Sequence, residues 1–171
     1  MQEKNYEKAA PLLEDALRGE RKALGDEHPE TLDTLMNVAS LRAHTGKVDD
    51  AEECYQEALK GLRKVLGENH PRSLDAGHTV ADFYLSRSKT AKALKLYESL
   101  LPGFRSQFGA KDERTQEILY ALASLYAAAG RWSEAEPLAK ELVESTSEDS
   151  EAMSEHRKLL DRIQAVLQKR K

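Results

Sequence analysis

The chain of 171 residues has one cysteine, Cys54. No intramolecular disulfide can form, and this cysteine usage points to a reducing compartment. Val and Ile together number only 8, and aromatic residues make up 6%. Pleated sheets favour those side chains, so a sheet-based fold is nearly excluded. Long apolar runs are also missing. The most apolar stretch, 119–129, contains Ser124 and is shorter than the ~20 residues a membrane-crossing helix needs. The opening residues, MQEKNYEKAA, lack the apolar segment of a signal peptide. Basic surplus is absent as well: 26 Lys plus Arg against 30 Asp plus Glu give a net charge of −4. A nucleic-acid binder should instead carry a basic stripe. There is no Walker A loop, paired CxxC, HExxH or Asn-x-Ser/Thr. These absences lead to an expectation of a cytoplasmic chain with no nucleic-acid or membrane partner.

The residues present point one way. Ala, Leu, Glu, Lys and Arg account for 92 positions, about 54% of the chain. Such side chains lose little rotamer freedom in a helix, so the composition is that of an all-α protein.

The chain also repeats itself. A shift of 42 aligns GDEHPETLDTL (25–35) with GENHPRSLDAG (67–77) and GAKDERTQEIL (109–119). Ala9, Ala51, Ala93 and Ala135 fall in register, as do Ala39, Ala81 and Ala123. Arg21, Arg63 and Arg105 coincide, and so do Gly19, Gly61 and Gly103. Each unit reads as two helices. Helix A spans about 29–45, with Leu32, Leu35, Val38, Ala39 and Leu41 at helical spacing and Gly46 as the stop. Helix B spans about 50–66, with Asp49 and Glu52 as a capping box that Ser133 and Glu136 repeat. His28, His70 and Asp112 share one place before helix A, and His, His and Asp in series are best read as N-caps.

This pattern resembles the tetratricopeptide repeat (TPR). LG-x-x-HP at 24–29 and 66–71, with GK-x-x-x-AE-x-x-Y-x-x-AL at 46–59, is similar to the kinesin light chain subgroup, over about residues 5–145. The resemblance implies a right-handed superhelical solenoid of antiparallel helix pairs. The expected organisation is helix B of a truncated first repeat, then repeats at about 29–67, 71–109 and 113–145. A polar connector (146–150) and a capping helix with a basic tail (151–171) follow. Leu12, Leu13, Ala16 and Leu17 would then lack one packing partner, so the chain is expected either to be a fragment or to dock there. Pro102 inside helix B is expected to kink or break it. The last helix should bury a seam of Met153, Leu160, Ile163 and Leu167.

No set of side chains assembles a nucleophile, base and orienter, so neither catalysis nor a cofactor is expected. Cys54 stands at an apolar position and reads as a small buried hydrophobe. Trp132, in register with Tyr6 and Val48, reads as a structural plug. Asp75, His78 and Asp82 have a spacing that could present three metal ligands, but a solvated groove wall explains them more simply, so no metal is expected. The resemblance instead implies a peptide groove lined by helix A. Its inward positions, carried over by register, are Asp33, Met36, Asn37, Ser40 and His44, then Asp75, His78, Thr79, Asp82 and Ser86, then Glu117, Tyr120, Ala121, Ser124 and Ala128. Asn37 matches the family asparagine that bonds a bound peptide's backbone. The candidates include four acids and no base, which disfavours the acidic ligands of such grooves. The expected function is a non-catalytic scaffold or adaptor taking a neutral or basic segment. The alternative is an assembly subunit that docks, or self-associates, through its N-terminal edge.

Overall fold

The computed structural model describes residues 2–169, with side chains from Ala9 onward. Among these residues there are eight α-helices and no strand. They are α1 (Gln2–Leu24), α2 (Pro29–His44), α3 (Val48–Leu66), α4 (Pro71–Ser86), α5 (Thr90–Phe108), α6 (Glu113–Ala128), α7 (Trp132–Ser145) and α8 (Met153–Lys169). The readings for Tyr6 and for the end of the basic tail lie outside the described residues. The chain divides into two compact units, Met1–Val80 and Ala81–Lys171, with the division inside α4.

Local chemistry sets the helix starts. His28 Nδ1 accepts from the Glu30 N–H at 3.2 Å, and His70 Nδ1 accepts from the Arg72 N–H at 3.2 Å. Asp112 Oδ1 accepts from the Arg114 N–H at 3.0 Å. All three satisfy an otherwise orphaned donor of the first turn, as the register predicts. Pro29 and Pro71 then occupy the first helical position, where a missing N–H costs nothing.

The ends of the A helices repeat as well. Lys47, Lys89 and Arg131 donate their N–H groups to the carbonyls of Arg42, Tyr84 and Tyr126, at 2.9, 2.8 and 2.9 Å. This is the Schellman arrangement, which needs a left-handed residue just before the donor. Gly46 (φ 83°) and Gly130 (φ 72°) supply it, and Ser88 adopts φ 57° at the equivalent place.

Two readings need correcting. The capping boxes do not form: α3 and α7 start at Val48 and Trp132, so Asp49 and Ser133 lie inside their first turns, and Lys47 and Arg131 cap without a side-chain bond. The physical reason is the tight A–B turn. Lys47 closes α2 and opens α3 at once, leaving no separate capping residue. Nor does Pro102 break its helix, because α5 is continuous from Thr90 to Phe108. Leu100, Leu101 and Phe104 are buried on both sides of it, and that packing offsets the lost hydrogen bond.

In the first unit α2 packs against both α1 and α3. Leu32, Leu35, Val38 and Ala39 of α2 and Ala51, Ala58 and Leu62 of α3 are all nearly fully buried. Gly61 permits the closest approach: a Cβ there would lie 2.7 Å from a Leu32 methyl. The register partner Gly19 has open space instead, so the glycine series does not mark one shared contact. In the second unit α6 packs between α5 and α7, and α8 covers α7 and touches α6. Met153, His156, Leu159 and Ile163 form the buried seam of α8, whereas Leu160 and Leu167 are only half-buried. Truncating a fully buried residue such as Leu62, Leu122 or Ile163 to Ala costs about 2–5 kcal/mol. Buried position three of the A helices is always a hydroxyl: Thr31, Ser73 and Thr115, none of whose oxygens has a partner.

Candidate functional site

The candidate residues are the open stripe of the A helices. On α2, Asp33, Met36 and Ser40 are half-buried, while Asn37 and His44 are exposed. Between them run the buried Leu32, Leu35, Val38 and Ala39. On α4, Asp75, Thr79, Asp82 and Ser86 are exposed and His78 is half-buried. On α6, Glu117 and Ala128 are exposed, and Tyr120, Ala121 and Ser124 are half-buried. The 3.6-residue period accounts for this sorting, because one stripe is consumed by packing and the neighbouring one is left to solvent.

Several candidates have partners that no periodicity reveals. Asp33 is paired with Arg72: Nε lies 3.0 Å from Oδ2, and a second guanidinium nitrogen reaches the same oxygen. Arg72 also contacts Glu30 at 3.3 Å. The sequence reading that no base offsets the stripe acids is therefore corrected. The base stands on the second position of α4 and returns to α2 one repeat earlier. Hydrogen bonding to Asp33 holds the Arg72 guanidinium protonated even more firmly than usual. A near-42 offset of opposite charges was the available signal.

Asp82 accepts a hydrogen bond from Tyr97 on α5. Tyr97 is 1% exposed, and burial followed by this bond raises its phenol pKa far above the usual range. One repeat earlier Ser40 bonds Tyr55, whose phenol pKa is raised by burial while this bond opposes the rise. Ser40 and Asp82 thus latch helix A to helix B within a repeat. His44 Nδ1 lies 2.7 Å from the Ser40 carbonyl, and Thr79 Oγ1 donates to the Asp75 carbonyl at 3.0 Å.

At the C-terminal end α8 joins the stripe. Tyr120 donates to Glu155 Oε1 at 2.6 Å, and its ring stands 5.7 Å from that of His156. The bond to Glu155, with burial second, raises the Tyr120 pKa. Glu117 and Tyr120 line a cleft of about 800 Å³ that also includes Glu113, Glu144, Glu155 and His156. The last four were missed in the sequence. They come from a helix start, a helix end and a separate helix, which have no common register.

Cys54 is 7% exposed, and desolvation raises its pKa against the opposing effect of Arg42, whose guanidinium lies 3.0 Å from Sγ. It is a buried core thiol. Trp132 is half-buried at the start of α7 with Nε1 unpartnered. Among the described residues no group of three or more His, Cys, Asp or Glu is arranged to hold a metal. No described helix is long and apolar enough to cross a membrane.

Tetratricopeptide repeat models match residues 30–106 and 75–148, and a second such model matches residues 2–30. The chain belongs to the tetratricopeptide repeat family. The TPR fold is borne out by solved structures. BtubC (BKLC) from P. vanneervenii is similar with TM-score 0.77 and 20% identity, over 95% of this chain but only 66% of its own. The putative kinesin light chain TPR-like repeats of Podospora anserina give TM-score 0.77 and 21% identity, over 99% of this chain and 90% of theirs. A single-substitution variant of those repeats gives 0.78 and 22%, over 98% and 89%. No protein of curated function matches. These TPR neighbours are of the kinesin light chain type, in agreement with the motifs at 24–29 and 46–59. Tetratricopeptide repeats generally serve as protein-interaction scaffolds.

Proposed function

We propose that this TPR chain is a cytoplasmic, non-catalytic adaptor that receives a neutral or basic segment of a partner protein along the open stripe of its A helices. The supporting observation is the chemistry of that stripe. Asn37 and Tyr120 offer hydrogen-bonding and aromatic contacts. The acid at Glu117 has no ion pair among the described residues, while Asp33 is only partly screened by Arg72. Like charges across an interface slow encounter and cost affinity, so an acidic segment is disfavoured. A peptide array followed by titration tests this. Basic and neutral sequences should dominate, with binding weakened by salt. Acidic peptides binding more tightly than basic ones would overturn the reading.

A docking role for α1 has one observation in its favour: Leu12 is 71% exposed while Leu17, on the same helix, is 7% exposed. Light scattering distinguishes the two. A concentration-dependent dimer abolished by Leu13→Glu would support docking, and a monomer at all concentrations would leave the adaptor reading alone.

A further inference from the structure

The cleft of about 800 Å³ in the second unit is bounded by α6, the end of α7 and the start of α8. Four glutamates line it, Glu113, Glu117, Glu144 and Glu155, against one base, Lys111. Elsewhere many carboxylates are matched: Glu57 to Arg21, Asp33 to Arg72, Glu141 to Arg105 and Glu148 to Arg157. Glu113, Glu117 and Glu144 form no ion pair among the described residues.

The second observation is a buried imidazole. His156 lines the same cleft and is 7% exposed. Thr146 Oγ1 commits its only proton to the Leu142 carbonyl at 2.6 Å. The 2.9 Å contact between that oxygen and His156 Nδ1 therefore has the ring N–H as donor. Nε2 is left with a lone pair and has no partner among the described residues. Two nearby donors are already committed: Tyr120 to Glu155, and the Gln116 amide to the Ser145 and Lys111 carbonyls. The cleft lining thus presents the carboxylates of Glu113, Glu117 and Glu144 and the His156 Nε2 lone pair, against Lys111 as its one Lys or Arg and the hydroxyls of Ser147 and Ser150.

We infer that this cleft binds an arginine side chain of the partner segment, with Glu117, Glu144 and His156 Nε2 as its acceptors. The inference rests on the adaptor reading and names the side chain that the C-terminal end of the stripe recognises. A guanidinium brings five N–H donors in a planar fork and no acceptor, which suits acceptors spread around a cleft. It can also lie against the face of Tyr120, as an ammonium does less well. A lysine ammonium concentrates three donors at one point.

The test is an NMR titration of the full ¹⁵N-labelled chain with the peptide acetyl-Gly-Ser-Arg-Ser-Gly-amide and its citrulline and lysine counterparts. Citrulline keeps the shape and loses the charge. The arginine peptide should shift amides at 113–120 and 144–156, with the citrulline peptide weaker by about tenfold or more. The double variant Glu117→Gln, Glu144→Gln should weaken the arginine peptide by a similar factor, with an unchanged thermal melt showing that the fold is intact. Equal binding of arginine and citrulline, or shifts confined to α2, overturns the inference and leaves the adaptor reading standing. Lysine binding as tightly as arginine overturns the choice of guanidinium. If no peptide shifts any amide at millimolar concentration the inference falls, and the peptide array alone then judges the adaptor reading.

Discussion

Arg72, at the second position of α4, holds the carboxylate of Asp33 on α2, 39 residues earlier in the chain. The pair ties one A helix to the A helix before it, and it removes one charge from a stripe that the sequence makes look wholly acidic. A scaffold of this kind therefore tunes its recognition surface through contacts between repeats as well as through the residues on the surface.

Replacing Arg72 with Gln separates those two roles. The side chains of the pair are 35% and 43% exposed, so water screens the attraction. The expected loss in urea denaturation is about 0.2–1 kcal/mol. A basic probe peptide should at the same time bind more tightly, because Asp33 is released. A loss above about 3 kcal/mol would show instead that the pair carries the fold, as a broken buried ion pair does.

The repeated N-caps make a chemical prediction. His70→Ala leaves the Arg72 N–H without its acceptor and should cost about 0.5–2 kcal/mol. His70→Asp should recover most of that, since Asp112 already performs this task one repeat later. If Ala and Asp were equally stable by thermal melting, the cap would contribute nothing.

The buried hydroxyls of position three predict a gain. Thr115 is fully buried and its Oγ1 has no partner. Thr115→Val keeps the shape and removes the desolvated hydroxyl, so stability should rise by about 1 kcal/mol. Thr146→Val should do the opposite, losing about 1–3 kcal/mol, because Thr146 Oγ1 bonds both the Leu142 carbonyl and His156. Chemical denaturation of both variants checks the contrast, and equal signs would refute it.

His156 predicts a pH dependence. Burial holds its pKa below the ordinary value of 6.5, against a weaker opposing effect of Glu155. The unfolded chain therefore binds a proton at a higher pH than the folded chain does. Stability should be full above about 6.5 and fall as pH drops below it. His156→Gln should flatten this part of the profile, measured as the urea midpoint between pH values of about 7.5 and 5. A parent and variant with parallel profiles would exclude His156 as the cause.

The helix pairs were legible because their signals are local and recur. Gly46 and Gly130 sit where only a left-handed residue closes the Schellman turn. His28, His70 and Asp112 each had a first-turn N–H to satisfy. Recurrence itself helped, because one ambiguous position was read three times. Local signals failed where two demands fell on one residue. Asp49 looks like a cap, but Lys47 is consumed in closing the previous helix, so α3 starts earlier. Pro102 looks like a breaker, yet its flanking residues are buried too well for the helix to part.

Sequence alone thus determined the class, the repeat length and the face of each A helix left open, since these follow from side-chain period and backbone geometry over a few residues. Tertiary structure decided the electrostatics of that face. Arg72 reaches Asp33, Tyr97 holds Asp82, and α8 brings Glu155 and His156 beside Glu117 and Tyr120. Those partners lie 15 to 39 residues apart in the chain. Charge pairing depends on distance in space, and one-dimensional spacing carries little of that.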